Sequence, residues 1–212
     1  TFVVMVCTMV SRVLGFARTA VVTAIFGASG AADVINLTFA VPNNLRKLMA
    51  EGALSSAFIP VLSETLVEDP SGTESNRIVR NILTFQLLIL IPVSALCMIF
   101  ARPLISVVLA EFTEEWQITL STGLFRWFIN YLLLISVSAV LMGVLNSHSR
   151  FFVPAITPIL FSVSVILSIL FLHNQLGEYS MAVGVLAGGF AQILFQVPSF
   201  LRLGYSFRPL CG

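Results

Sequence analysis

Two stretches, WFINYLLLISVSAVLMGVLNSHS at 127–149 and FFVPAITPILFSVSVILSILFLHNQLG at 151–177, contain no Asp, Glu, Lys or Arg, and only Arg150 separates them. At about 1.5 Å per residue, each is long enough to cross roughly 30 Å of hydrocarbon as a helix. A junction this short makes the two helices antiparallel neighbours. Working outward, 179–201 and 81–101 are also free of charge. The whole chain follows the same pattern: of 212 residues, 58% are hydrophobic and 10% charged, where a soluble domain carries about 25% charged residues. Mean hydropathy is +1.00. Such a composition excludes a soluble globular domain, a disordered chain and a coiled coil, and predicts an all-α polytopic membrane protein. A formal net charge of +1 offers no electrostatic case for nucleic acid as a partner.

Two earlier stretches are apolar enough to cross but carry charge inside. The first, 2–26, holds Arg12 and Arg18; the second, 33–66, holds Arg46, Lys47 and Glu51. Counting both predicts a six-helix bundle with spans near 2–26, 33–66, 78–102, 118–147, 151–173 and 179–203. If the first span starts in the cytoplasm, Arg77, Arg80, Arg150, Arg202 and Arg208 fall on the cytoplasmic side and only Arg102 on the other. This agrees with the excess of basic residues in cytoplasmic loops. Omitting either charged span reverses that bias. The chain lacks an initial Met and begins inside an apolar run, which reads as a fragment.

The buried charges carry the functional argument. Arg12 lies about 15 Å along its helix and Arg18 about 9 Å further, too deep to reach an interface easily. An arginine at the centre of a spanning helix costs about 2.5–3.5 kcal/mol, while each Leu, Ile, Phe or Val returns only about 0.3–0.6 kcal/mol. A dozen apolar residues therefore no more than offset two arginines, so the guanidinium groups must face water, a carboxylate or a bound anion. No acid lies within helical reach of either, the nearest in sequence being Asp33. Their spacing of six also departs from the three-residue ladder of a voltage sensor. In the second charged span Lys47 and Glu51 are four apart and can pair on one face, and Pro42 removes a backbone hydrogen bond one turn before Arg46. Arg46 is left as a third candidate anion ligand. Arginine suits this role because its planar fork stays charged when desolvated and grips phosphate oxygens in bidentate fashion.

The remaining polar residues read as structural. Cys7, Cys97 and Cys211 are odd in number and far apart, which predicts neither a disulfide framework nor a metal site. His148 and His173 are isolated. Arg126 beside Trp127 reads as an interfacial anchor, and Asn130, Ser136, Ser138, Gln192 and Gln196 as interhelical hydrogen-bonding residues. Neither a nucleophile with a neighbouring base nor a cofactor-binding pattern is present, so no enzyme activity and no cofactor are expected.

The run SRVLGFAR at 11–18, followed by Phe26 and Gly27, Asp33, and PNNLRKLMAEGALSSAFIPVLSE at 42–64, resembles the amino-terminal helices of the MurJ (MviN) family of lipid II flippases in the MOP exporter superfamily. The likeness extends through LNSHSRFFVPAITP at 145–158 to the sixth span. It implies a bacterial inner-membrane protein of two lobes that carries an undecaprenyl-diphosphate-linked muropeptide, lipid II, from the cytoplasmic to the periplasmic leaflet. Residues 1–212 would form its amino-terminal lobe. The resemblance also implies a cationic central cavity with Arg12, Arg18, Arg46, Asp33, Ser11 and Lys47 at substrate-binding positions and Glu51 at a gating position. Thr19 departs from the family, which commonly has an acid there, and Lys47 stands where a second arginine is usual. The partners implied are lipid II, membrane lipids and a carboxy-terminal lobe of the same protein, without which the chain should not transport.

Four other functions compete with this reading. A related exporter of another polyprenyl-linked oligosaccharide would use the same diphosphate chemistry, whereas a drug-cation antiporter should favour acids over arginines in its cavity. A non-transporting membrane scaffold would shield Arg12 and Arg18 with partner protein. A membrane enzyme acting on prenyl diphosphates would need an acid/base pair or an acidic metal cluster near the arginines, and the sequence supplies neither.

Overall fold

The computed structural model describes residues 2–47, 58–68 and 72–207, apart from the side chains of Arg46 and Glu68. Among these residues the chain is all helical: α1 (Phe2–Phe26), α2 (Ala31–Arg46), α3 (Ile59–Glu68), α4 (Thr73–Ile99), α5 (Ala101–Val108), α6 (Glu115–Ser147), α7 (Phe152–Leu176) and α8 (Tyr179–Arg202). Helices α1, α4, α6, α7 and α8 are long and apolar enough to cross a membrane. The stretch 33–66, expected as one span, holds most of α2 and the larger part of α3, and residues 48–57 between them lie outside the described residues. Pro42 sits inside α2 without ending it.

The helix α6 forms the axis, in contact with α2, α3, α4, α5, α7 and α8. Its start is set by a capping box, in which the Glu114 carboxylate accepts from the backbone of Gln117 and the Gln117 side chain accepts from the Glu114 N–H. This arrangement satisfies donors that the first turn would otherwise leave unpaired. At its other end Arg150 N–H reaches back to Leu145 O at 2.8 Å, with Ser149 held at φ 59°. That left-handed closure ends the helix and turns the chain into α7. Gly177, at φ 54°, ends α7 in turn.

The backbones of α7 and α8 come unusually close. A Cβ built on Gly184 would lie 2.8 Å from Val165 Cα, and one on Gly188 would lie 3.2 Å from Phe161 Cα. In an apolar solvent, close packing and hydrogen bonds hold helices together, and small residues make the approach possible. The interhelical bonds expected of the glutamines are present: Gln192 donates to Thr157 O at 3.2 Å and Gln196 to Ser138 Oγ at 2.6 Å. Ser136 instead donates within its own helix, to Leu133 O. Arg126 donates to Met98 O at 3.3 Å, tying α6 to the last turn of α4.

The two ends of the bundle differ in charge. At one end Asn76 donates to Gly204 O at 2.9 Å and the His148 and Tyr205 rings meet edge to face; burial pushes the Tyr205 phenol above its ordinary ionisation range. Arg77, Arg80, Arg150 and Arg202 sit on the helix ends gathered there. At the opposite end Glu115, Glu178 and Ser29 line a common cavity with Trp116 and Tyr179. Arg102 pairs there with Glu115, and Trp116 donates to Glu114.

Candidate functional site

The α1 helix packs chiefly along α7, and that seam holds two of the predicted arginines. Arg12 is exposed. It lines a cavity of about 470 Å³ with Ser11 and Thr8 of its own helix, Asn146 at the end of α6, and Pro154 and Pro158 of α7. Arg12 makes no hydrogen bond or ion pair with any described residue. The carboxylate partner that would make it a structural charge is therefore not among them. The cavity opens near the arginine-rich end of the bundle, since Phe151 also lines it.

Arg18 sits one level deeper along the same seam. Its Cζ lies 5.5 Å from the centre of the Phe161 ring and 5.6 Å from that of Phe39. Pro158 and Phe161 are about one turn apart on α7, so the two arginines mark successive depths along it. Phe39 belongs to α2, which returns antiparallel to α1 after the short Gly27–Ser29 turn. Seven residues beyond Phe39, about 10 Å back along the axis, the backbone of Arg46 reaches the level of Arg12.

The remaining candidates are more dispersed. Ser11 shares the Arg12 cavity. Lys47 follows α2 and is exposed. Asp33 lies in the first turn of α2, exposed, at the end away from the Arg12 cavity and not among its lining residues. The side chain of Arg46 and the whole of Glu51, with its expected pairing to Lys47, lie outside the described residues. Thr8, Asn146, Phe39 and Phe161 were not singled out by the sequence, although Thr8 precedes Arg12 by one turn and so shares its face.

Known proteins resemble the chain throughout. The family model described as lipid II flippase MurJ matches residues 22–212. The chain belongs to the MurJ lipid II flippase family. Among MurJ relatives, the probable lipid II flippase of Borreliella burgdorferi is 34% identical over 209 residues, covering 99% of this chain and 40% of that protein. The probable flippase of Aquifex aeolicus is 32% identical over 186 residues, covering 88% of this chain and 36% of its own length. A solved lipid II flippase MurJ in an inward closed conformation superposes with a TM-score of 0.81 at 28% identity, over 98% of this chain and 44% of the other. The chain thus spans about 40% of the length of the MurJ relatives it matches.

Proposed function

We propose that the chain is the amino-terminal lobe of a lipid II flippase, working in the bacterial inner membrane with the start of α1 in the cytoplasm. The substrate diphosphate is held by Arg12, Arg18 and Arg46 while its prenyl chain remains in lipid. Ser11 and Lys47 add donors near the mouth, Asp33 acts at the far end of α1, and Glu51 serves as a gate. Transport proceeds by alternating access, with this lobe rocking against a second one around a central site. No bond is made or broken.

The observation that carries this reading is the exposed Arg12 in a cavity with no described carboxylate partner. An unpaired guanidinium within an apolar span is expensive, and a bound anion or water offsets that cost. The gathering of Arg77, Arg80, Arg150 and Arg202 at the end where α1 begins supports the orientation. The test is translocation of lipid II by the full-length protein carrying Arg12→Ala, Arg18→Ala or Arg46→Ala singly. Each substitution is expected to reduce transport at least tenfold with normal expression. Wild-type rates for all three would overturn the assignment.

A further inference from the structure

A second cavity opens at the end of the bundle where the arginines gather. It measures about 520 Å³ and is bounded by the start of α1, the turn between α6 and α7 with the first turn of α7, and the last turn of α8. Arg150 and Arg202 supply its charge. Both are exposed, and neither side chain makes a hydrogen bond or ion pair with any described residue. Among the described residues that line the cavity there is no acid. The rest of the wall is chiefly apolar, and two of its members, Val3 and Phe152, are exposed.

We propose that this cavity binds an anionic glycerophospholipid of the leaflet it faces, with Arg150 and Arg202 holding the lipid phosphate and an acyl chain lying against Val3, Val4 and Phe152. The uncharged runs 127–149 and 179–201 end just before Arg150 and Arg202, so both guanidinium groups stand where hydrocarbon gives way to headgroups. A phospholipid already carries its phosphate at that depth and its chains in the layer of the apolar wall. It fits without leaving its ordinary position, whereas free phosphate would use the arginines and leave the wall uncovered. The arginine fork holds phosphate oxygens by paired, charge-assisted bonds, and basic pockets between spanning helices retain anionic headgroups. The positive end of α7, which no side chain caps, adds to the same field.

The site is distinct from the one assigned to the transported diphosphate. Val4 and Phe151 line both this cavity and the one that holds Arg12, but Arg12 is eight residues beyond Val4, about 12 Å further along α1. The two cavities are therefore neighbours at different depths. A lipid in the outer one touches α1, α7 and α8 together, and so braces the starting end of α1, which otherwise packs chiefly along α7. The phospholipid site stands or falls apart from the flippase reading, since it requires only that these helices span a membrane.

The experiment offers the purified full-length protein four probes in detergent: phosphatidylglycerol, phosphatidylcholine, inorganic phosphate and farnesyl diphosphate. Affinity and thermal midpoint are read for each. Phosphatidylglycerol should bind about tenfold or more tighter than phosphatidylcholine and raise the midpoint. Arg150→Gln and Arg202→Gln should each weaken it about fivefold. Ser199→Leu, which fills the cavity and keeps both charges, should weaken it too. Arg77→Gln, which removes a charge at the same end but outside the cavity, should leave affinity within about twofold of wild type. Farnesyl diphosphate affinity should be unchanged in Arg150→Gln. An equal loss in Arg77→Gln would reduce the effect to general attraction between charges and overturn the site. Inorganic phosphate binding as tightly as phosphatidylglycerol overturns the lipid, and farnesyl diphosphate weakened as much as phosphatidylglycerol gives the cavity to the transported substrate instead. Should Arg150→Gln lower the lipid-free midpoint, Arg202→Gln, on a different helix, decides the outcome.

Discussion

Of the eighteen most apolar consecutive residues of α6, 67% are buried inside the protein, whereas none of those in the corresponding stretch of α1 is fully buried. The two helices cross the same apolar layer under different constraints. The middle of α6 carries no charge, and its buried side chains, Phe128, Ile129, Leu132 and Leu141 among them, fill the centre of the bundle. On α1, Phe2, Met5, Met9, Val13 and Phe16 remain exposed, and Arg12 and Arg18 lie along the seam with α7. The fold is therefore stabilised mainly by the α6–α7–α8 core, while the cationic groups sit on a helix attached along one side. Stability and anion binding should be separable by substitution.

The largest effect is expected at the axis. Phe128 is fully buried and meets Phe39 edge-on. Phe128→Ala should cost about 3 kcal/mol of stability, read as a lower thermal or denaturant midpoint in detergent. A change below about 1 kcal/mol would place the core elsewhere. Gly188→Val comes next. Its first added carbon would meet Phe161 Cδ2 at 2.8 Å and Phe161 Cα at 3.2 Å, and because part of that obstruction is backbone it cannot be relieved by a rotamer change. Overpacking of this kind costs about 2 kcal/mol. An unchanged midpoint with Gly188→Val would mean that α8 can move away from α7 freely, and the distinction between a rigid core and a peripheral α1 would be lost.

Much of this contrast was legible in the sequence. The uncharged runs 81–101, 127–149, 151–177 and 179–201 overlap α4, α6, α7 and α8, because an α-helix satisfies its own backbone hydrogen bonds in lipid. The cost of burying Arg12 marked it as a cavity residue, and it lines one. The short α5 was missed. It follows α4 after a single residue and carries Arg102 and Pro103, which read as an interruption, although Ala101 and Ile105, four apart, supply the face it buries. The partners of Arg18 could not be read either. Helical periodicity tells which face a residue occupies but not which distant helix meets it, and Phe39 and Phe161 look like any two of the eighteen phenylalanines. Arg126 reads as an interfacial anchor, and its guanidinium also donates to Met98 O in the last turn of α4, a partner the sequence does not indicate.

The smallest stability change is expected on α1, and it bears most directly on the central claim. With no hydrogen bond or ion pair to any described residue, Arg12 contributes little to the fold, so Arg12→Ala should shift stability by less than about 0.5 kcal/mol. Measured on the same purified full-length protein, farnesyl diphosphate affinity should fall about tenfold or more, in line with the loss of a charge-assisted phosphate contact. An unchanged midpoint with weakened binding is the predicted result. A midpoint lowered by 1 kcal/mol or more (~1 kcal/mol marks a structural contact) together with wild-type diphosphate affinity would contradict the account, because Arg12 would then be part of the scaffold and not of an anion site.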